Sequence, residues 1–288
     1  MFRNQQTISD PVVVSGKGYW SGLKATVEIK PAAPNAGISF VRGDLAGQPK
    51  IDVVPRNYVD IPRRTCIQNG PASVEMIEHI MAALGGLQID NCEIWVDRAE
   101  MPAFDGSSQE LVAELLDIDI VDQGIPRPAL VIDQEIKVEH HDSWIKAIPG
   151  SGTGMQLRFE LEYPQPVIGR QEIDLELTPR SFVTELAPAR TFLLDVEAEW
   201  LRSQGLGRSV SFSELLVFGP DGVIDNELRF ENECVRHKAL DVVGDLGVAG
   251  FDICGKVIAH KGGHQLNARF VRKLTEIFHS SRKTSLSA

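Results

Sequence analysis

The stretch of sequence that decides the fold is Asp122-Gln123-Gly124-Ile125-Pro126-Arg127-Pro128. Its prolines and glycine interrupt regular helices and strands, so we predict a linker here. On both sides of it, short apolar blocks separated by turn residues predict strands, and segments of helical periodicity follow them. This repeated order predicts an α+β fold of two domains, residues 1–124 and 125–288.

Each half contributes several predicted elements. Before the linker we predict strands at 12–14, 25–29, 38–41, 51–54 and 92–96, and helices at 73–84 and 109–116. After it we predict strands at 129–132, 136–139, 155–163 and 171–177, and helices at 196–204, 232–247 and 264–278. The tail, residues 280–288, is predicted to be disordered.

Composition excludes several classes of protein. The 288 residues include 29 Lys+Arg and 40 Asp+Glu, a formal net charge of -11. The hydrophobic fraction of 43% is that of a folded globular protein. The acidic balance argues against binding to duplex nucleic acid, which requires clustered Lys and Arg. A local basic site for a phosphorylated small molecule stays possible.

The cysteines and the apolar runs bear on location. Cys66, Cys92, Cys234 and Cys254 form no CxxC pair, so we expect neither a disulfide framework nor a cysteine zinc site. No stretch has the pattern of a signal peptide, and no apolar run is long enough to span a membrane. These features predict a cytoplasmic enzyme.

The predicted helix around position 78 carries polar groups opposite its apolar face. At about 100° per residue, Glu78 and His79 lie together beside the small residues Ala82 and Ala83. Such a pair most often sits exposed on a solvated face. Alternatively, it forms the wall of a cleft in which the small neighbours leave room for a ligand.

The helix predicted at 232–247 carries a second pair. His237 and Asp241 are spaced i, i+4, so both side chains can bind one metal ion, although a surface ion pair has the same spacing. A histidine from another helix would complete a three-ligand zinc site with a position open to water. A third, weaker signal is Lys261-Gly262-Gly263-His264, a glycine loop with a histidine at the entry to a helix.

Three ordered motifs together carry a family resemblance. They are Ile77-Glu78-His79-Ile80-Met81-Ala82-Ala83-Leu84-Gly85-Gly86-Leu87, the segment 228–246 with Arg236-His237-Lys238 and Leu240-Asp241, and Lys261-Gly262-Gly263-His264-Gln265-Leu266-Asn267. The segments 101–102, 105–107 and 189–192 also fit in order. The chain resembles the UDP-3-O-acyl-N-acetylglucosamine deacetylases, the zinc amidases of lipid A biosynthesis, from about Gly16 to about Leu274.

The resemblance implies a fold, a cofactor and a reaction. The fold would be two similar α+β domains, each a helical layer packed on a β-sheet, with the active site between them. Zn²⁺ would be bound by His79, His237 and Asp241. The enzyme, monomeric by expectation, would hydrolyse the N-acetyl amide of a UDP-linked acylated amino sugar and release acetate.

The resemblance also implies roles for individual residues. Glu78 would be the general base, and His264 the cationic partner held by Asp245. Thr191 would help to stabilise the oxyanion, and Lys238 would bind the phosphates of the substrate. An insert at about 192–216, which includes Phe192 and Val210, would form the apolar passage for the acyl chain. Tyr163 would stack on the uracil.

The chain departs from the family pattern at two places. Trp20 stands where the family has a histidine, and Arg208-Ser209-Val210 replaces paired glycines. A stiff β-branched side chain at position 210 predicts a preference for shorter acyl chains. Two alternatives stay open: a zinc amidase of the same fold that acts on a different N-acetyl amino sugar, and a catalytically silent homologue that binds a sugar nucleotide.

Overall fold

The computed structural model describes residues 3–207, 210–212 and 214–286. Its helices are α1 (Glu78–Gly86), α2 (Gln109–Leu116), α3 (Pro179–Ser181, continued by a π turn over Phe182–Leu186), α4 (Asp195–Ser203), α5 (Glu233–Gly247) and α6 (His264–Leu286). The strands of the first half are β1 (Asn4–Ile8), β2 (Val12–Lys17), β3 (Lys24–Pro31), β4 (Ile38–Arg42), β5 (Lys50–Asp52), β6 (Tyr58–Val59), β7 (Cys66–Asn69), β8 (Ala72–Glu75), β9 (Cys92–Val96) and β10 (Ile120–Pro126). Those of the second half are β11 (Ala129–Val131), β12 (Ile136–His140), β13 (Ser143–Ile148), β14 (Met155–Glu162), β15 (Arg170–Glu176), β16 (Phe192–Leu194), β17 (Leu216–Gly219), β18 (Gly222–Val223) and β19 (Asp252–His260).

The two large sheets have the same topology. The first has the order β2-β3-β9-β4-β5 and the second β12-β13-β19-β14-β15, to which β11 adds by pairing with β19. In both, the central strand pairs antiparallel with one neighbour (β3 or β13) and parallel with the other (β4 or β14). One helix precedes the central strand and another follows it in each half. The predicted α+β class and the repeat of strands followed by helices are therefore confirmed.

The helices of the two halves pack against one another and against the sheets. Helix α1 packs against α5, α2 packs against α1 and β2, and α5 and α6 pack against each other and against the second sheet. The inward faces of both sheets and the helices form one continuous apolar core, with Phe40, Phe159 and Phe270 at 0 to 1% exposure. This α1–α5 contact is where the two halves meet.

The predicted linker at 122–128 is wrong in its local structure. Strand β10 runs through most of it and pairs antiparallel with β1, from Ile8 opposite Ile120 to Asn4 opposite Pro126. Pro126 is tolerated because it ends the strand, where a missing N–H breaks few ladder bonds. The pairing partner lies more than a hundred residues away in sequence, so no local signal indicated it.

The start of the first helix and the end of the last one also differ from the prediction. The helix predicted at 73–84 begins at Glu78, because Ala72–Glu75 forms β8 in a hairpin with β7. Met76, with φ 62°, makes the turn between strand and helix. At the C-terminus, α6 continues to Leu286 through most of the tail that was predicted to be disordered. Among the described residues, no helix is both long and apolar enough to cross a membrane.

Candidate metal centre and active site

A glycine allows the close contact between α1 and α5 on which the site depends. A Cβ atom on Gly244 would lie 2.1 Å from the carbonyl oxygen of Glu78, so no larger residue fits there. The helices therefore approach closely and bring His79 of α1 beside His237 and Asp241 of α5. All three side chains are buried, as is Glu78. The alternative that Glu78 and His79 lie exposed on a solvated face is wrong.

His79, His237 and Asp241 form a group that can bind a metal ion. One potential ligand atom from each lies within 4.8 Å of the others. The Nε2 atoms of His237 and His79 are 3.4 Å and 4.0 Å from Oδ1 of Asp241. That buried oxygen has no hydrogen-bond partner within the described structure. An unpaired carboxylate oxygen beside two imidazole nitrogens is the donor set of a three-ligand metal centre.

The protonation of the histidines suits this interpretation. Burial lowers the pKa of His79 to about 3 and also lowers the pKa of His237, so both rings are neutral at pH 7. His237 donates its Nδ1–H to the carbonyl oxygen of Ala189 at 3.0 Å, which leaves Nε2 with its lone pair free. A metal-binding histidine is commonly oriented through such a bond from its other nitrogen.

The segment that contains Ala189 is fixed by a buried ion pair. Arg190 donates its Nε–H and its backbone N–H to Oε1 of Glu233 at 2.8 Å and 3.0 Å. Glu233 begins α5, so the pair ties the segment 189–192 to the helix that carries His237 and Asp241. Thr191 and Phe192 thereby lie on the wall of a cavity that His237 and Asp241 also line.

Glu78 lies next to the metal-binding group. Its Oε2 accepts the backbone N–H of Thr65 at 2.9 Å. Burial raises the pKa of Glu78 to about 7, against the opposing charge of His264. A carboxylate with a pKa near neutrality can accept a proton and return it, which is what a general base requires.

His264 begins α6 and is held by Asp245. Its Nδ1–H donates to Oδ2 of Asp245 at 2.9 Å, and its Nε2 lies 3.9 Å from Oδ2 of Asp241. Burial alone would lower the pKa of His264. The carboxylates of Asp245 and Asp241 outweigh this effect and raise the pKa to about 10. The imidazole is therefore a buried cation at pH 7.

These groups open into one cavity of ≈ 640 Å³. Of the predicted site residues, the structure places ten on its walls: Glu78, His79, Tyr163, Thr191, Phe192, Val210, His237, Lys238, Asp241 and His264. The eleventh, Asp245, is fully buried behind His264. Their individual roles stay predictions.

Two aromatic side chains form part of the cavity wall. Tyr163 and Phe192 meet edge to face with ring centroids 5.6 Å apart, and Lys238 Nζ lies 5.7 Å from the Phe192 centroid. Val210 lines the cavity and also packs against the core. Of the predicted acyl insert at 192–216, the residues Arg208, Ser209 and Ser213 lie outside the described part of the chain.

Trp20 is a fixed part of the wall rather than a loose surface residue. Its Nε1–H donates to Sδ of Met76 at 3.1 Å, and its backbone N–H donates to Oε1 of Glu100 at 2.6 Å. The guanidinium carbon of Arg64 lies 5.2 Å from its ring centroid, and Arg64 is paired with Glu75 at 2.7 Å. The indole thus forms a fixed, largely apolar part of the cavity wall.

Three residues of the site were not singled out from the sequence. Asn267 donates Nδ2–H to Oδ2 of Asp245 at 2.7 Å, and Thr65 donates to the other oxygen, Oδ1. The hydroxyl of Tyr58 contacts Oγ1 of Thr65. The i, i+3 spacing of His264 and Asn267 on one helix was a usable signal for Asn267. Nothing local in the sequence marks Thr65 or Tyr58.

Comparison with known proteins agrees with this geometry. The family model of UDP-3-O-acyl N-acetylglycosamine deacetylase matches residues 5–276. A UDP-3-O-acyl-N-acetylglucosamine deacetylase of Bdellovibrio bacteriovorus is 37% identical, over 99% of this chain and 94% of its own length. The deacetylase of Geobacter sp. strain M21 is 38% identical over 94% of this chain and 88% of its own length. That of Trichormus variabilis is 35% identical over 94% and 98%.

The match includes every segment that builds the metal-binding group and the cavity around it, since residues 5–276 contain all of them. It covers both structural repeats rather than one of them. We conclude that the chain belongs to the UDP-3-O-acyl-N-acetylglycosamine deacetylase family.

Proposed function

We propose that this chain hydrolyses the N-acetyl amide of UDP-3-O-acyl-N-acetylglucosamine, giving UDP-3-O-acyl-glucosamine and acetate in lipid A biosynthesis. Membership of the family supports the reaction. The observation that carries it for this chain is the placement of Glu78 and His264 beside the group His79, His237 and Asp241, on the wall of one cavity. A carboxylate, an imidazolium and a metal-binding group together are what metal-assisted amide hydrolysis requires.

We propose Zn²⁺ as the metal, bound by His79, His237 and Asp241. Two neutral imidazoles and a carboxylate are typical zinc ligands, and three protein ligands leave the fourth position open, as in catalytic zinc sites. When bound, the ion supplies Lewis acidity, which activates a water molecule and polarises the amide carbonyl. The unpaired Oδ1 of Asp241 supports its assignment as the ligand atom.

Glu78 is the proposed general base. Its carboxylate accepts a proton from the attacking water, and the same proton then passes to the amide nitrogen as the C–N bond breaks. The hydrogen bond from the Thr65 N–H occupies Oε2, so Oε1 is the oxygen left to take the proton. The leaving group is the free amine of UDP-3-O-acyl-glucosamine, and the acetate product retains the oxygen of the water.

His264 and Thr191 are proposed to stabilise the charge that develops on the carbonyl oxygen. His264 can do so because Asp245 and Asp241 keep its ring protonated, and its Nε2 lies 3.9 Å from Oδ2 of Asp241 on the wall of the cavity. The backbone N–H of Thr191 donates to the carbonyl of Gly106 at 2.7 Å, so its hydroxyl is the group left to donate to substrate.

Substrate binding is proposed to use the rest of the cavity wall. Lys238 would bind the phosphates, Tyr163 would stack on the uracil, and Phe192 and Val210 would contact the acyl chain.

We also propose the division into domains 1–124 and 125–288, whose boundary falls inside β10. A cytoplasmic location and a monomeric state complete the proposal, and the four buried free cysteines fit a reducing compartment.

A second candidate is a zinc amidase that acts on a different N-acetyl amino sugar. Trp20 favours it, because an indole whose N–H donates to Sδ of Met76 cannot offer the hydrogen bonds or the charge of an imidazole. The third reading, a catalytically silent sugar-nucleotide binder, would be supported by the loss of a metal ligand, and the three ligands are together here.

One assay separates these readings. Acetate release should be measured with UDP-3-O-acyl-N-acetylglucosamine, with its galactose-configured epimer and with unacylated UDP-N-acetylglucosamine, using the metal-loaded protein and a Glu78→Gln control. We expect the first substrate to have the highest kcat/KM. Preference for the epimer would establish the second candidate, and binding without acetate release from any of the three would establish the silent homologue.

A further inference from the structure

Thr65 lies where the two proposed catalytic groups meet. It is 1% exposed and directly precedes β7. Its backbone N–H donates to Oε2 of Glu78 at 2.9 Å, and its hydroxyl donates to Oδ1 of Asp245 at 2.5 Å. Glu78 is on α1 and Asp245 is on α5, so one residue contacts the base and the carboxylate that holds His264.

The direction of the hydrogen bonds around Asp245 is settled by its neighbours. Oδ2 accepts from His264 Nδ1 at 2.9 Å and from Asn267 Nδ2 at 2.7 Å, so only Oδ1 is available to Thr65. A threonine hydroxyl has one hydrogen, and the carboxylate takes it. The hydroxyl of Tyr58 lies 3.1 Å from Oγ1 of Thr65, and it also donates to the carbonyl oxygen of His264 at 3.3 Å.

This arrangement fixes the orientation of the Asp245 carboxylate from both sides. His264 and Asn267 hold one oxygen from α6, and Thr65 holds the other from the opposite half of the chain. A carboxylate held in this way cannot rotate, so the imidazole that depends on it keeps one direction relative to Glu78. Thr65 itself is not on the cavity wall, so it does not touch substrate.

We propose that Thr65 is a positioning residue for the deacetylation: it keeps Glu78 and the His264–Asp245 pair in a fixed relative geometry across the contact between the two halves. The inference rests on the proposed function. It predicts that loss of the hydroxyl slows the chemical step and leaves substrate binding unchanged.

The test compares Thr65→Val with Thr65→Ser. Valine has the shape of threonine and keeps the backbone N–H to Glu78, but it removes the donor to Asp245. Serine restores the donor. We expect Thr65→Val to lower kcat by about 10²-fold, the loss that a misplacement of about 1 Å commonly causes, at unchanged KM and metal content. We expect Thr65→Ser to recover most of the rate.

Thr7→Val is the matched control. Thr7 is another buried threonine, whose hydroxyl donates to the carbonyl of Asn91 at 2.6 Å, and it does not line the cavity. This variant should lose stability, measured as Tm, with little change in kcat. If Thr65→Val does not fold, Tyr58→Phe replaces it. We expect that variant to lower kcat several-fold at constant KM, because it removes the hydroxyl that contacts both Thr65 and the carbonyl oxygen of His264.

The outcomes are distinguishable. An active wild type together with a Thr65→Val variant that keeps its kcat would overturn the inference and leave the proposed function intact. So would a Thr65→Ser variant as slow as Thr65→Val, because the hydroxyl would then not be the group that matters. A wild type without deacetylase activity would overturn the proposed function and this inference with it.

Discussion

The ammonium group of Lys238 donates to Oδ2 of Asp241 at 2.9 Å, while Nε2 of His237 faces the other oxygen, Oδ1, at 3.4 Å. The two oxygens of one carboxylate thus have separate partners: Oδ1 faces the metal-binding group, and Oδ2 faces a lysine. Burial lowers the pKa of Lys238, but Asp241 more than offsets this, so the ammonium stays charged. A lysine held in this position has donors left for a phosphate group.

Replacing Lys238 by Met should therefore weaken substrate binding. We expect KM to rise by about 10- to 100-fold, the equivalent of a hydrogen bond to a charged group, with metal content unchanged. Lys256→Met is the control, because Lys256 pairs with Asp174 away from the cavity. Loss of metal at unchanged KM would show instead that Lys238 serves to orient Asp241.

The metal centre can be tested by removing one ligand. The purified wild type should bind about one zinc ion per chain, and His237→Ala should retain none after gel filtration, because two remaining ligands do not form a tight site. Metal analysis measures the ion, and circular dichroism checks the fold. His260→Ala is the control, since His260 stacks on Trp144 outside the cluster. A His237→Ala protein with its full complement of zinc would show that the ligand assignment is wrong.

The rate should depend on pH through Glu78 and His264. Glu78 acts only when deprotonated, so kcat/KM should fall as the pH drops through its pKa. That pKa is raised by burial from 4.5 to about 7, and a bound cation beside it would move it back down within this interval. His264 acts only when protonated, and its pKa of about 10 predicts a loss of rate on the alkaline side. The profile should be bell-shaped.

Glu78→Gln tests the acidic limb of that profile. We expect a rate at least about 10²-fold lower with zinc still bound, and a residual activity without the acidic limb, because the titrating base is gone. An acidic limb that persists unchanged in this variant would assign it to another group.

Val210 should limit the length of the acyl chain. It lines the cavity with a side chain that is stiff at χ1. Each buried CH₂ contributes about 0.8 kcal/mol, so the exclusion of two would cost about 1.6 kcal/mol, roughly tenfold in kcat/KM. Val210→Gly should shift the preference toward longer chains, whereas Val131→Gly, at an exposed strand position away from the cavity, should not. The same length profile in wild type and Val210→Gly would mean that Val210 only packs within the insert.

Some elements could be predicted from the sequence because their signals are local. The helix at Gln109–Leu116 and the strand at Cys92–Val96 have the predicted bounds, since apolar periodicity and flanking turn residues act over a few positions. The i, i+4 spacing of His237 and Asp241 likewise follows from helix geometry alone. The motif resemblance gave His79 and His264 their predicted roles, because motifs preserve the order of residues in a family.

Other features depend on contacts between distant segments. Ser73–Glu75 reads as the start of a helix, but it is a strand because it pairs with Cys66–Asn69. The proline-containing segment 122–126 reads as a linker, but it is a strand because β1 provides its partner. In both cases the hydrogen-bonding partner outweighs the local propensity, and propensity is what a sequence pattern measures.

The sequence by itself determined the α+β class, the strands-then-helices repeat and the candidate ligands. Only the tertiary structure decided that Glu78 and His79 are buried, because the contact of α1 with α5 at Gly244 removes them from solvent. Only the tertiary structure brought Thr65 to Asp245, 180 residues away in the chain. The physical reason is the same for both: burial and hydrogen bonding are properties of segments that meet in space, and neither leaves a periodic signal along the chain.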